Sequence, residues 1–293
     1  MYRPGMKAYS LLILQGAVWG SSFQAIKYAL EDFGPMTIAA GRIVLAAVIL
    51  MIYAWSRGNS LPKHLPSIAL LFVISLFNCA LPFFLIPWGE QDVASGRAAI
   101  FMASGPLITL VLAHFFTTDE RINGRKALAF VLGFIGVLLV IGVGAFNSGI
   151  GALLPQLALI MAATSYAISG LLVKRVTGIS NTMMSACVLL AGSLITLPAA
   201  LIWETPVSTL AAASWSALLA LIYLGLFPTG LMFLVRFYLI NNYGYIFVSQ
   251  VGYLVPLFSV LFGTLLLGEQ LSLSIFLGLG LILSGIFISR TKA

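Results

Sequence analysis

Charge is what this chain has least of. Only 8% of its 293 residues are Asp, Glu, Lys or Arg, against roughly 25% in a soluble domain. With 61% hydrophobic residues and a mean hydropathy of +1.09, no polar shell can cover the apolar surface, which excludes a soluble globular fold. Cysteine is scarce as well. Cys79 and Cys187 both lie inside apolar runs, outside any CxxC or zinc spacing, which leaves them as small packing residues. The two histidines, His64 and His114, are far apart, so no HExxH pair or metal cluster exists. There is no Walker phosphate loop, no GxSxG elbow and no arguable Ser/His/Asp set. These absences remove direct ATP drive, metal-assisted hydrolysis and serine-type catalysis, imply no cofactor and no metal, and point away from an enzyme. No carboxylate falls near the middle of an apolar run, where proton-coupled carriers often keep one. Facilitated diffusion, or coupling through groups near the mouths, is therefore at least as consistent as proton antiport.

What is present is long apolar runs. A membrane helix needs ~20 apolar residues to cross ~30 Å of hydrocarbon. Breaks at charged, Pro, Gly and Asn residues predict ten such spans, near 8–30, 37–55, 67–88, 93–116, 126–143, 152–173, 181–203, 214–239, 244–266 and 272–289. The runs are continuously apolar, without the alternation of a barrel wall, so helices are expected. The first run follows Arg3 and Lys7 but is too long for a cleaved signal segment, and reads as a permanent helix.

The net charge of +7 acts as a topology signal. Basic residues scatter among short loops without interleaved exposed aromatics, which excludes nucleic acid as a partner. Placing the N-terminus in the cytoplasm gives the inner side Arg3, Lys7, Arg57, Lys63, Arg121, Arg125, Lys126, Lys174, Arg175, Arg290 and Lys292 and leaves none in the outer loops. The expectation is a multi-pass protein of a bacterial inner membrane with both termini cytoplasmic.

The chain also repeats itself. Trp19-Gly20-Ser21-Ser22-Phe23-Gln24-Ala25-Ile26-Lys27 is answered by Tyr166-Ala167-Ile168-Ser169-Gly170-Leu171-Leu172-Val173-Lys174. Pro82 is answered by Pro228, Pro106 by Pro256, Glu120 by Glu269 and Gly136 by Gly285, shifts of 146 to 150 residues by subtraction. Five spans per copy is odd, so the second copy enters from the opposite side. The predicted fold is all-α integral membrane, with ten transmembrane helices as two inverted five-helix repeats, 1–147 and 148–293, around a central cavity.

Polar residues within spans are expensive unless they face a cavity or a partner. Gln15, Trp19 and Ser22 share one helical face, Tyr166 and Ser169 another, Asn78 stands one turn before Pro82, and Gln250 and Tyr253 precede Pro256. These eight are the candidate substrate-binding set. The alternative is belt or packing aromatics, with Ser and Asn bonding their own helix. Pro82, Pro106, Pro228 and Pro256 each remove a backbone hydrogen bond and are candidate hinges or static bends. Lys27 and Lys174 take matching helix ends, as carboxylate-attracting mouths or as side chains snorkelling to headgroups. Arg42 and Arg97 lie nearer the outer side, where pairing with Glu31, Asp32, Glu90 or Asp92 would form a gate or rim. Glu120 and Glu269 precede the fifth and tenth spans and are expected to cap those helices. Small residues, Ala129-xxx-Gly133 with Gly136 and Gly280-xxx-Ser284 with Gly285, make flat faces for mutual packing or a dimer seam, so monomer and homodimer both stay open.

The motifs Trp19-Gly20-Ser21-Ser22-Phe23, Ser104-Gly105-Pro106-Leu107, Val255-Pro256-Leu257-Phe258 and Leu267-Gly268-Glu269-Gln270-Leu271, followed by Gly278 and Gly285, resemble the drug/metabolite transporter (DMT) superfamily. Within it the chain is most similar to EamA-type ten-helix exporters, in particular YddG-type amino-acid exporters. Thr118-Asp119-Glu120-Arg121-Ile122 is a weaker first copy of the LGE motif. The resemblance implies alternating-access export of small organic solutes, amino acids above all, with the substrate and membrane lipid as partners. Aromatic faces and neutral polar groups in the candidate pocket favour aromatic or apolar amino acids. A nucleotide-sugar or sugar-phosphate exchanger is the alternative, and an intramembrane enzyme on lipid substrates a second one.

Overall fold

The computed structural model describes residues 5–116, 124–141, 150–173, 175–243, 245–248, 251–270 and 272–290, and every regular element among them is helical. Two unbroken helices come first, α1 (Met6–Ala29) and α2 (Pro35–Ser56). The next rod is split by a π segment, Leu76–Ala80, into α3 (Leu65–Ser75) and α4 (Leu81–Glu90). The fourth breaks at Ala103–Ser104 into α5 (Ser95–Met102) and α6 (Gly105–Phe116), and α7 (Gly124–Ile141) follows. Then come α8 (Ile150–Val173), α9 (Asn181–Trp203) and the short α10 (Pro206–Ala212). A second π segment, Gly225–Leu231, separates α11 (Trp215–Leu224) from α12 (Met232–Tyr243). The chain closes with α13 (Tyr245–Val248), α14 (Val251–Leu267) and α15 (Leu273–Arg290).

Five helical stretches are long and apolar enough to cross a membrane: Pro35–Ser56, Leu65–Glu90, Leu153–Val173, Asn181–Trp203 and Trp215–Arg236. Shorter apolar helices cover Ala127–Ile141, Leu254–Leu267 and Leu273–Gly285. Large apolar side chains such as Ile202, Trp203, Trp215 and Phe287 stand exposed on the outside. A surface of that kind is stable against lipid and not against water, and the molecule is a multi-pass membrane protein.

Lipid tails are as apolar as Leu, so burial alone does not hold such helices together; close packing and interhelical hydrogen bonds do. Gly16 and Gly20 let α1 lie against α14. A Cβ on Gly16 would stand 2.5 Å from Leu254 Cβ, and one on Gly20 2.7 Å from Phe258 Cβ. The small-residue faces of α7 and α15 meet each other. A Cβ on Gly136 would lie 2.7 Å from the Gly278 carbonyl oxygen, and one on Gly285 2.6 Å from that of Ala129. The face on α15 is therefore Gly278, Ile282 and Gly285. Gly280 looks into open space and Ser284 is exposed, contrary to the face expected from Gly280-xxx-Ser284. The reason is helical phase: positions seven apart share a face, and positions five apart lie well round the helix.

The order of contacts fixes direction. Ala129 meets Gly285 while Gly136 meets Gly278, so α7 and α15 are antiparallel. Thr37 meets Glu204 while Ile43 meets Gly192, so α2 and α9 are antiparallel too. The other pairings come in matched sets: α1 against α14 and α8 against α5 and α6, α4 against α8 and α11 and α12 against α1. The two π segments begin 149 residues apart, Leu76 to Gly225 by subtraction.

Candidate functional site

The π segments shape the middle of the bundle. A π turn leaves the α-helical ladder out of step and frees backbone carbonyls. Thr229 Oγ1 donates to Leu224 O, five residues back, at 2.7 Å. The Pro228 carbonyl, freed in the same segment, accepts from Trp19 Nε1 at 2.9 Å. One turn earlier on α1, Gln15 Nε2 donates to Met232 O at 3.2 Å, and its Oε1 is buried without a partner. Ser22 only closes on its own helix, donating to Trp19 O at 2.6 Å. Thus two of the three residues on that face of α1 reach the second π segment and the start of α12, and the third does not.

Arg42 is the centre of the cluster. It lies two turns into α2 and is only 5% exposed. Its Nε donates to Thr229 Oγ1 at 3.0 Å, and its guanidinium lies 4.0 Å from the centroid of the Phe83 ring. Thr229 is thereby held at both ends, accepting from Arg42 and donating to Leu224. Tyr166 packs against the cluster that holds Cys79 and Phe83, within reach of the charges of Arg42 and Arg236. Arg236 in turn stacks over Trp19 at 5.7 Å. On the first π segment Asn78 Nδ2 donates to Ser169 Oγ at 2.9 Å. The structure thus brings Trp19, Arg42, Asn78, Tyr166 and Ser169 around the two π segments. Arg42 is not at a rim, and among the described residues it pairs with none of the carboxylates proposed for it.

Of the candidate hinges, Pro82 is the second residue after the first π segment and Pro228 lies inside the second. Pro256 sits within the continuous α14. Pro106 stands at the start of α6, just past the break at Ala103–Ser104. The side chains of Pro106 and Tyr253 lie outside the described residues, as do Lys174, Gln250 and Glu120 altogether.

One end of the bundle is held by carboxylates. Glu204 accepts from Met36 N at 3.0 Å, Thr37 N at 2.7 Å and Thr37 Oγ1 at 2.5 Å. Glu269 accepts from Ser95 N at 2.7 Å, Ser95 Oγ at 2.6 Å and Gly96 N at 2.9 Å. Each acid caps a helix N-terminus in the other half of the chain. Glu269 was expected to cap the helix that follows it; it caps α5 instead, because the link at Leu267–Gln270 lies over that helix start. Nearby, Gln24 Nε2 donates to Ser95 Oγ at 2.8 Å and Ser259 O at 2.9 Å. Asp32 accepts from the Ser214 amide at 2.8 Å and from its hydroxyl. Those bonds hold the Asp32 carboxyl below the ordinary carboxylate range. Lys27 neither snorkels nor pairs with an acid; its ammonium donates to the main-chain carbonyl of Glu90, at the C-terminal end of α4. Arg97, on α5, keeps its Nε buried without a partner.

The chain has relatives among known proteins. The profile of the EamA-like transporter family matches residues 6–142 and 153–291. The chain belongs to that family. Similar proteins include the "Uncharacterized transporter YoaV" of Bacillus subtilis, 28% identical over 93% of this chain and 92% of its own length. The "Uncharacterized inner membrane transporter YedA" of Escherichia coli K12 is 29% identical over 97% of this chain and 92% of its own length. The "Probable terminal-alkyne amino-acid exporter" of Streptantibioticus cattleyicolor is 27% identical over 90% and 86%. A solved crystal structure superposes with a TM-score of 0.69 over 98% of this chain and 97% of that one, at 17% identity, which shows a shared fold. Membership of this family makes the chain a membrane transporter.

Proposed function

We propose that this transporter exports small organic solutes, amino acids with apolar or aromatic side chains above all, by alternating access, through ten membrane-crossing helices arranged as two inverted repeats around a central site. The antiparallel pairs α2/α9 and α7/α15, the exchangeable helix pairings and the π segments 149 residues apart support the inverted arrangement. The excess of Lys and Arg in one set of loops supports cytoplasmic termini in an inner membrane. On that topology the end held by Glu204, Glu269 and Asp32 is the outer face, and it is shut.

The observation that carries the substrate class is Arg42. A guanidinium within a membrane bundle is costly unless paired, yet among the described residues no carboxylate pairs with Arg42, and its one hydrogen bond is from Nε to Thr229. A substrate carboxylate supplies the missing charge, and a guanidinium fork receives it in a bidentate, charge-assisted pair. Phe83, Trp19 and Tyr166 offer faces to an apolar or aromatic side chain. Amino acids carry both features, and one relative is named as an amino-acid exporter. Arg236 beside Trp19 adds a second positive charge and favours one competing reading, a sugar-phosphate exchanger, since a phosphate dianion suits two guanidinium groups.

Counterflow in liposomes decides between them. Vesicles loaded with unlabelled leucine or phenylalanine are expected to accumulate the labelled amino acid, and vesicles loaded with sugar phosphate are not. Accumulation of sugar phosphate alone would replace the amino-acid reading with the exchanger.

A further inference from the structure

Glu90 ends α4, is fully buried, and has no hydrogen-bond partner for either carboxyl oxygen among the described residues. The other carboxylates at this end are treated differently. Glu204 and Glu269 each accept three bonds, and Asp32 and Glu31 are exposed with Ser214 and Ser216 beside them. Asp92, two residues on, is exposed, so an acid that is both buried and unpartnered is, among the described residues, particular to Glu90.

The charged groups around it do not complete it. Lys27 on α1 is the cation that bears on it most, and its ammonium is committed to the Glu90 main-chain carbonyl. Arg42 on α2 makes no hydrogen bond to it; its Nε goes to Thr229 and its guanidinium lies on the Phe83 ring. Glu269, on the link after α14, is a like charge whose oxygens Ser95 and Gly96 already occupy. On α5 the charged residue is Arg97. At Gly89, α8 contributes the Pro155 carbonyl and Leu159, neither of which titrates.

Burying an ionised carboxylate without donors is far more costly than burying the neutral acid. We propose that Glu90 is a proton-binding site: closing this end of the bundle traps a proton from the adjoining water on its carboxyl, and opening the end releases that proton to the same side. This rests on the alternating-access reading and gives it a regulating ion, since a proton returned to the side it came from is not carried across. One Oε–H bond forms on closure, from hydronium, and the same bond breaks on opening, so charge and atoms balance without a further reactant. Acid on that side favours the closed state. The stabilisation is complete at low pH and is lost as pH rises, and one proton moves the closed-to-open ratio by at most about tenfold per pH unit. The Ser214 bonds keep Asp32 ionised through neutrality, so it contributes nothing to that slope near pH 7.

The test is infrared spectroscopy of the purified protein in liposomes at neutral pH, with no substrate present. A protonated-carboxyl C=O band is expected that shifts on labelling the glutamates with carbon-13, vanishes in Glu90→Gln and persists, shifted, in Glu90→Asp. A band insensitive to glutamate labelling, or no band at all, overturns the proposal and puts an ionised Glu90 beside Lys27. The isotope arm needs no variant, so it stands even where Glu90→Gln does not fold. Because no transport is measured, failure of the proton site and failure of the transport reading separate. A band without any counterflow keeps the proton site and sinks the carrier, and counterflow without a band does the reverse.

Discussion

Arg42 is where a single side chain has the most to say. Its Nε bond to Thr229 orients the guanidinium and leaves the rest of the fork for a ligand. Arg42→Gln removes the charge, and a charge-assisted hydrogen bond of about 1.5–3 kcal/mol goes with it, so the half-saturation concentration for counterflow should rise by roughly ten- to a hundredfold. Arg42→Lys should restore little, because an ammonium cannot offer two parallel donors. Recovery of wild-type affinity in the Lys variant would mean that Arg42 supplies only a diffuse positive charge. The sequence displays such residues unevenly. Trp19, Asn78, Tyr166 and Ser169 stand out because they are polar or aromatic within apolar runs, and all four meet near the π segments. Phe83 and Thr229 carry no such mark; only the long-range contact with Arg42 distinguishes them. Arg42 itself was placed at a rim, because linear distance along α2 says nothing about which helices surround that turn. Gln24 could have been found by the same polar-in-span rule that singled out Gln15.

Helix pairs show how phase decides what a small residue is for. Gly278 faces α7 and Gly280 faces away, although both belong to one glycine-rich stretch. Gly278→Leu should force α7 and α15 apart and destabilise the protein by roughly 1–3 kcal/mol, as overpacking does, read as a lower midpoint in a thermal-unfolding assay in detergent. Gly280→Leu should leave the midpoint unchanged. Equal effects at both sites would show that α15 is rotated from the phase described. The sequence made the existence of such faces plain, because small residues at helical spacing are rare by accident. Which of two overlapping glycine registers forms the seam depends on the partner helix. The interruptions were half visible: Pro82 and Pro228 mark both rods that contain a π segment, while Pro256 lies in a helix that runs on without a break. A proline shows that one hydrogen bond is missing and not how the neighbouring turns compensate.

For the whole molecule, the period of about 149 residues was the most legible feature of the sequence, and α2 runs antiparallel to α9 as α7 does to α15. The carboxylate clips were not legible as clips. Glu204 and Glu269 each act on a helix start more than 160 residues away in sequence (204 − 37 = 167 and 269 − 95 = 174), a relation no local rule reaches. If these clips hold the end shut, Glu269→Gln and Glu204→Gln should each open it, because an amide cannot accept from two amide donors with both its atoms. The readout is labelling of Ala98→Cys, a buried position on α5, by a membrane-impermeant thiol reagent, with Cys79 and Cys187 replaced by Ala. Loss of about 1 kcal/mol from the closed state should raise the labelling rate roughly fivefold. An unchanged rate in both variants would show that the end is sealed by packing alone.

The π segment at Leu76–Ala80 has one more consequence. A turn of this kind holds one residue beyond what an α-helix needs at that place, and each residue of a helix advances the azimuth by about 100°. Deleting one residue there would leave everything beyond it in place, whereas winding the same residues as plain α-helix would swing it around the axis by about that angle. Glu90 would then sweep from the interior toward the lipid, and with it the carbonyl that Lys27 holds. By taking up the spare residue, the π turn keeps an acid facing inward at the far end of the rod.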